Sequence, residues 1–154
     1  AGLGHLLFNM LTLYFFGPVM EQLLGSIPFY ILYFGSELTA HLFSLYMNRN
    51  NPNYAAIGAS GAVSGVVFAF CLVSPFTPLF LFFIPIPIPA IVFALLYVLG
   101  SIYAMRVSRG GGAGSGFVSG IAHEAHIGGA IGGVVLAILL EPALLPHFLN
   151  QIGL

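Results

Sequence analysis

Residues 58–65, Gly-Ala-Ser-Gly-Ala-Val-Ser-Gly, are the stretch that decides how this chain is interpreted. They begin an apolar segment over residues 59–73 that is long enough for a helix, and they place Ser60 between two small residues. Glycine lets a partner helix approach closely, and the first turn of a helix leaves backbone N–H groups without intrahelical partners. The stretch therefore predicts one of two features. It is either a helix-packing motif, which small residues often form in membranes, or a serine nucleophile beside free N–H donors.

The composition is that of an integral membrane protein. Of the 154 residues, 59% are hydrophobic and 5% are charged, whereas a soluble domain carries about 25% charged residues. The formal net charge of −1 supplies no basic patch, so nucleic acid is not an expected partner. The single cysteine, Cys71, lies in an apolar run and is expected to be a small buried hydrophobe. We expect a multi-pass protein in a lipid bilayer, with the cell membrane favoured.

The hydrophobic segments predict an all-α polytopic bundle. At about 20 residues per crossing, five spans fall at about residues 5–24, 27–47, 58–74, 90–105 and 121–140. Residues 76–89 contain Ile-Pro-Ile-Pro-Ile-Pro, which cannot be helix interior, and are expected to be extended at the membrane face. The glycine-rich residues 110–116 are predicted to form a flexible loop. Residues 1–142 would form one membrane domain, and residues 143–154 a short tail.

Polar residues inside the spans are candidates for function, because ionisable groups are costly in a bilayer. His5 and Asn9 are four residues apart and share one helical face. Glu37 and His41 have the same spacing in the second span, and we expect them to pair in a packing role. Glu21, near the end of the first span, is expected to tie its helix to a neighbour or a loop.

The fifth span begins with two histidines and a glutamate, His123, Glu124 and His126. Their spacing differs from the His-Glu-x-x-His helix of metalloproteases, and no metal is predicted. Gly129 and Gly133 follow His126 on a smooth helical face, and residues 61 and 65 offer a matching glycine face after Ser60. If the two faces pack together, Ser60 and His126 come within hydrogen-bonding reach. Imidazole is the usual base that activates a serine hydroxyl.

Three patterns together resemble those of the rhomboid family of intramembrane serine proteases, over nearly the whole chain. They are His-x-x-x-Asn at residues 5–9, Gly-x-Ser-Gly at residues 58–61, and Ala-His-x-x-Gly-x-x-x-Gly at residues 125–133. The resemblance implies that Ser60 is the nucleophile and His126 the general base, without an acidic third member and without a cofactor. It selects His126 over His123, because only His126 has glycines at both expected distances. It also implies transmembrane protein substrates.

The resemblance assigns supporting roles to other residues. His5 and Asn9 would stabilise the oxyanion together with backbone N–H groups at Gly58 and Gly61. The glycines at positions 65, 129 and 133 would pack the helices around the site.

Two features depart from the family pattern. The family core has six spans, and this chain begins at what resembles the second. Many relatives place a tyrosine four residues after the nucleophile, against the histidine, whereas this chain has Ser64 there. His126 would then be held by another aromatic residue, or held less firmly.

Two other functions compete with proteolysis. One is a catalytically silent rhomboid-like protein that binds membrane clients. The other is a small transporter or channel in which His5, Asn9, Glu37 and His41 form a polar path.

Overall fold

The computed structural model describes residues 3–52, 54, 59–81, 84–109 and 123–154, in which a helical bundle carries one small hairpin. In chain order the elements are α1 (Leu3–Leu24), α2 (Ser26–Met47), α3 (Ser60–Val73), β1 (Pro78–Leu81), β2 (Ile84–Pro89), α4 (Ala90–Arg109), α5 (His123–Leu140) and α6 (Leu144–Gln151). The five predicted spans correspond to α1 to α5, so the predicted all-α bundle is confirmed. The predicted loop at residues 110–116 lies outside the described residues.

A single glycine separates the first two helices. Gly25 has φ +84°, a backbone conformation that side-chain-bearing residues rarely adopt, and it breaks the helical path between α1 and α2. Glu21 accepts a hydrogen bond from the Ser26 hydroxyl at 2.7 Å across this break, which confirms the expected tie between α1 and the next segment. Pro28 is tolerated because it lies in the first turn of α2, where its missing N–H removes no intrahelical bond.

Helix α3 is the centre of the bundle. Every residue from Gly61 to Leu72 is buried, including Cys71 as expected, and α3 contacts α1, α2, α4, α5 and α6. The other long helices expose much of their apolar surface; Leu3 and Tyr14 on α1 are 82% and 72% exposed. This distribution suits a bundle whose outer face meets lipid, where apolar side chains need no further cover.

Glycines allow α3 and α5 to touch backbone to backbone. A Cβ added at Gly129 would overlap the backbone of Gly61, and a Cβ added at Gly133 would overlap the backbone of Gly65. Helix α2 packs as closely on α5, because a Cβ at Gly128 would lie 3.0 Å from the Ala40 Cα. The contact leaves room for glycine only.

The proline-rich segment is extended, as predicted, and it also pairs with the preceding residues. Strands β1 and β2 are antiparallel, with Pro78 opposite Pro89 and Leu79 opposite Ile88. Backbone hydrogen bonds from Ala90 to the Thr77 carbonyl, at 3.0 Å, and from Ile91 to the Pro75 carbonyl, at 2.8 Å, fix the start of α4 beside this hairpin. The hairpin therefore positions α4 relative to the end of α3.

No secondary structure was predicted for the tail at residues 143–154, which contains the short helix α6. Its His147 and Gln151 side chains both reach the Val73 carbonyl at 3.1 Å, at the C-terminal end of α3. That carbonyl belongs to the last turn of α3, where no intrahelical N–H is available.

Two of the described helices are long and apolar enough to cross a membrane by length and composition, α1 and α5. Helix α3 and residues Ala90–Tyr103 of α4 are apolar but shorter.

Candidate active site

One cavity gathers the polar residues that the sequence singled out on three separate helices. It has a volume of about 280 Å³, and its lining includes His5 and Asn9 of α1, Ser60 of α3 and His126 of α5. The remaining wall is mainly apolar and is formed by α1, α3, the hairpin and α4, with Phe16, Phe68, Leu79, Phe80 and Phe93 among its residues. Polar groups therefore converge at one place in an otherwise apolar chamber, which is the usual composition of a binding site.

On the α1 side, Asn9 and His5 form a local unit. The Asn9 side chain is buried, and its Nδ2 donates to the His5 carbonyl at 2.8 Å and lies 3.3 Å from both ring nitrogens of His5. The four-residue spacing makes this contact possible within one helical face. The amide and the imidazole therefore face the cavity as neighbours, and each can donate a hydrogen bond.

Ser60 and His126 reach the cavity from helices that touch at their glycines. Ser60 is the first residue of α3, and His126 lies in the first turn of α5. Gly61 and Gly129, which are in contact, follow them by one and three residues. Among the described residues, no hydrogen bond joins the two side chains. Catalytic hydrogen bonds in ligand-free enzymes are often long and shorten only with substrate bound.

Tyr97 of α4 supplies the aromatic contact to His126. The two ring centroids lie 5.9 Å apart with an interplanar angle of 32°, and the Tyr97 hydroxyl lies 2.9 Å from Ser64 Oγ. Ser64 stands at the position where the resemblance led us to expect a tyrosine. Its hydrogen-bond partner is Tyr97, a tyrosine on another helix. The sequence left open whether another aromatic residue or a looser hold would replace the tyrosine, and it did not identify Tyr97, because Tyr97 and His126 lie on different helices.

The remaining site candidates fall in different places. Gly58 lies outside the described residues. Gly61 does not line the cavity. It packs against Ala40 of α2 and Gly129 of α5. His123 lies beside His126 with ring centroids 6.0 Å apart, and its buried Nε2 has no hydrogen-bond partner in the part of the chain that the structure describes.

The expected pair of Glu37 and His41 is present, with His41 Nδ1 3.3 Å from Glu37 Oε1. The pairing was predicted, but a second contact was not. Glu37 Oε2 accepts a hydrogen bond from the backbone N–H of Ala62 at 2.7 Å, two residues after Ser60.

The fold and the cavity together define the class of protein, a helical membrane bundle in which a serine and a histidine line one cavity. Comparison with known proteins agrees: a family model, the Rhomboid domain, matches residues 1–143. This chain belongs to the rhomboid family. It is accordingly an integral membrane protein. No solved structure matches it significantly.

Several curated proteins are similar in sequence. Rhomboid protein 1, mitochondrial, of Saccharomyces cerevisiae is 31% identical over 142 residues, covering 90% of this chain and 38% of the yeast protein. Rhomboid protease GluP of Bacillus subtilis is 31% identical over 140 residues, covering 90% of this chain and 24% of GluP. Rhomboid protease AarA of Providencia stuartii is 31% identical over 166 residues, covering 97% of this chain and 55% of AarA. The matched region thus spans from about a quarter to just over half of the length of these relatives.

Proposed function

We propose that this protein is an intramembrane serine endopeptidase that cleaves transmembrane helices through a dyad of Ser60 and His126. The observation that carries the proposal is the single cavity lined by Ser60, His126, His5 and Asn9, which come from three helices. Relatives at about 30% identity that are named rhomboid proteases support the same reaction class.

The proposed reaction follows from the chemistry of these groups. The Ser60 hydroxyl attacks the carbonyl carbon of the scissile peptide bond while the His126 imidazole accepts its proton. The C–N bond then breaks, and the imidazolium returns the proton to the leaving amine. A water molecule, deprotonated by the same imidazole, attacks the resulting ester, and Ser60 leaves as the hydroxyl with the proton restored.

Oxyanion stabilisation is assigned to donors on the α1 side of the cavity. Asn9 Nδ2 and the His5 ring lie together there, opposite the first turn of α3. The amide groups of that first turn, including Gly61, are further candidates because helix-initial N–H groups lack intrahelical partners. The developing negative charge would be held in an apolar chamber, where such donors act more strongly than in water.

The ring of Tyr97 takes the orienting role that a carboxylate has in a triad. It lies beside His126 with its ring tilted by 32°, and its hydroxyl is hydrogen-bonded to Ser64. An apolar and aromatic contact restricts the imidazole without adding a charge to a membrane-embedded site.

The expected substrate is a transmembrane helix with small or helix-breaking residues near the cut. A helix hides its peptide bonds in its own hydrogen-bond ladder, so it must unwind locally before Ser60 can attack. Glycine and proline lower the free energy needed for that unwinding.

Cleavage in proteoliposomes tests the proposal. The purified protein is reconstituted with a fluorescent single-span substrate carrying small residues in its helix, and the products are identified by mass spectrometry. We expect cleavage within the span, with Ser60→Ala and His126→Ala reducing the rate by at least about 10³-fold. Substrate binding without cleavage by the wild-type protein would contradict the proposal and favour a silent client-binding protein.

A further inference from the structure

Within the part of the chain that the structure describes, the helix that carries Ser60 begins without a side-chain cap at its own N-terminus. Helix α3 starts at Ser60 after Ala59, whose methyl side chain cannot accept a hydrogen bond, and no side-chain cap is formed by that residue. A helix start leaves several backbone N–H groups unsatisfied, and an uncapped start frays more readily. The first turn of α3 therefore needs an acceptor from elsewhere, at the point where the position of Ser60 matters most.

Glu37 of α2 provides that acceptor. Its Oε2 accepts the N–H of Ala62, the third residue of α3, at 2.7 Å. A carboxylate at a helix N-terminus is favoured by the positive end of the helix dipole and by a charge-assisted hydrogen bond. Glu37 is thus a cap that one helix supplies to another, across 25 residues of sequence.

The other carboxylate oxygen also has a polar partner, so both oxygens of the Glu37 side chain are in contact with a hydrogen-bond donor. His41 Nδ1 lies 3.3 Å from Glu37 Oε1 and 2.9 Å from the Glu37 backbone carbonyl. Because both neighbours are hydrogen-bond acceptors, Nδ1 must carry a proton and donate. One oxygen therefore contacts His41 and the other contacts α3.

The carboxylate lies on the side of α3 that faces away from the cavity. A Cβ added at Gly61 would lie 3.1 Å from Glu37 Oε2, whereas Glu37 does not line the chamber that contains Ser60. Glu37 would therefore act through the helix rather than by touching a substrate. It also occupies the Ala62 N–H, so this amide is not available as an oxyanion donor.

We infer that Glu37 is a positioning residue that fixes the first turn of α3 and thereby the Ser60 hydroxyl. The catalytic consequence rests on the proposed function, whereas the anchoring of α3 does not. The acceptor oxygen is the required feature, so glutamine at position 37 should retain the effect and alanine should lose it.

Two measurements on the same variants test this inference. Hydrogen–deuterium exchange reports the amides of Ala62 and Val63, which are hydrogen-bonded to Glu37 and to the Ala59 carbonyl, and the rate of covalent labelling by a fluorophosphonate probe reports Ser60. Glu37→Ala should accelerate exchange at these two amides and slow the labelling, each by at least about tenfold. Glu37→Gln should stay within about threefold of the wild type on both. Glu21→Ala is the matched control, because it removes a glutamate bonded to Ser26 and should change neither.

The inference is overturned if the Ala62 and Val63 amides exchange as slowly in Glu37→Ala as in the wild type, or as fast in Glu37→Gln as in Glu37→Ala. It is also overturned if exchange rises equally over α2, α3 and α5, since that is a general loss of packing. A wild-type protein that never labels at Ser60 would refute the proposed protease function, while the exchange data would still decide whether Glu37 anchors α3.

Discussion

Replacing Gly129 by alanine should move Ser60 away from His126, the proposed nucleophile and base. Gly129 lies one turn after His126, and a Cβ there would be 2.8 Å from the Gly61 Cα and 2.7 Å from the Gly61 carbonyl carbon. Carbon atoms in contact prefer about 3.5–4.0 Å, so α3 and α5 would have to move apart by roughly 1 Å. Both partners are helix backbone, which cannot rotate away as a side chain would.

The size of the effect follows from that displacement. Overpacking of this kind typically destabilises by about 1–3 kcal/mol. A misplacement of about 1 Å between reacting groups costs on the order of 10²-fold in rate. Since Gly61 adjoins Ser60, the displacement acts directly on the pair. We therefore expect Gly129→Ala to remain folded with a lower free energy of unfolding and to lose about 10²-fold in kcat/KM.

The assay combines denaturant-induced unfolding in detergent with cleavage rates in proteoliposomes. Gly100→Ala is the control, because this glycine also lies inside a helix but has nothing within 4 Å of an added Cβ. Alanine is favoured over glycine in a helix by roughly 0.5–1 kcal/mol, so the control should be neutral or slightly stabilised, with unchanged cleavage. If Gly129→Ala matched this control in both stability and rate, the close contact of α3 and α5 would not set the site geometry.

Three further substitutions probe other parts of the structure. Tyr97→Leu should lower kcat/KM about threefold to tenfold by removing the ring beside His126, whereas Tyr97→Phe should stay near the wild type; equal rates for all three proteins would refute the orienting role. Asn9→Ala should lower kcat by about 10²–10³ with little change in KM, and a loss confined to KM would contradict an oxyanion role. Gly25→Ala should lower the free energy of unfolding by about 1–3 kcal/mol, because its φ of 84° and ψ of 159° are normally adopted only by glycine; unchanged denaturation midpoints would disprove this strain.

The helix positions were predictable because they depend on the length of each apolar run and on helix-breaking residues, which are both read from neighbouring residues in the sequence. The apolar run after Ser60, the break at Gly25-Ser26 and the stop at Ser74-Pro75 are all visible in the sequence, and the structure places α1 to α5 accordingly, with α2 beginning one residue earlier, at Ser26. Alternating prolines excluded a helix over residues 84–89 for the same local reason. The pairing of that segment with β1 depends on which strand lies beside it, which proline content does not specify.

The parts of the site that sequence reasoning missed are contacts between helices distant in the chain. Tyr97 meets His126 because α4 packs beside α5, and no spacing rule relates a tyrosine to a histidine on another helix. The bond from Ala62 to Glu37 had a sequence signal, since alanine at position 59 cannot cap a helix and an outside acceptor was required. That signal indicates a need for a partner but does not identify it.

The central claim, that Ser60 is a nucleophile activated by His126, is tested most directly by covalent labelling. The detergent-purified protein is treated with a fluorophosphonate probe, and the modified residue is located by mass spectrometry in the wild type and in the His126→Ala and His123→Ala variants. We predict modification of Ser60 that is lost in His126→Ala and kept in His123→Ala. Modification of a different serine, or loss in His123→Ala with retention in His126→Ala, would contradict the proposed dyad.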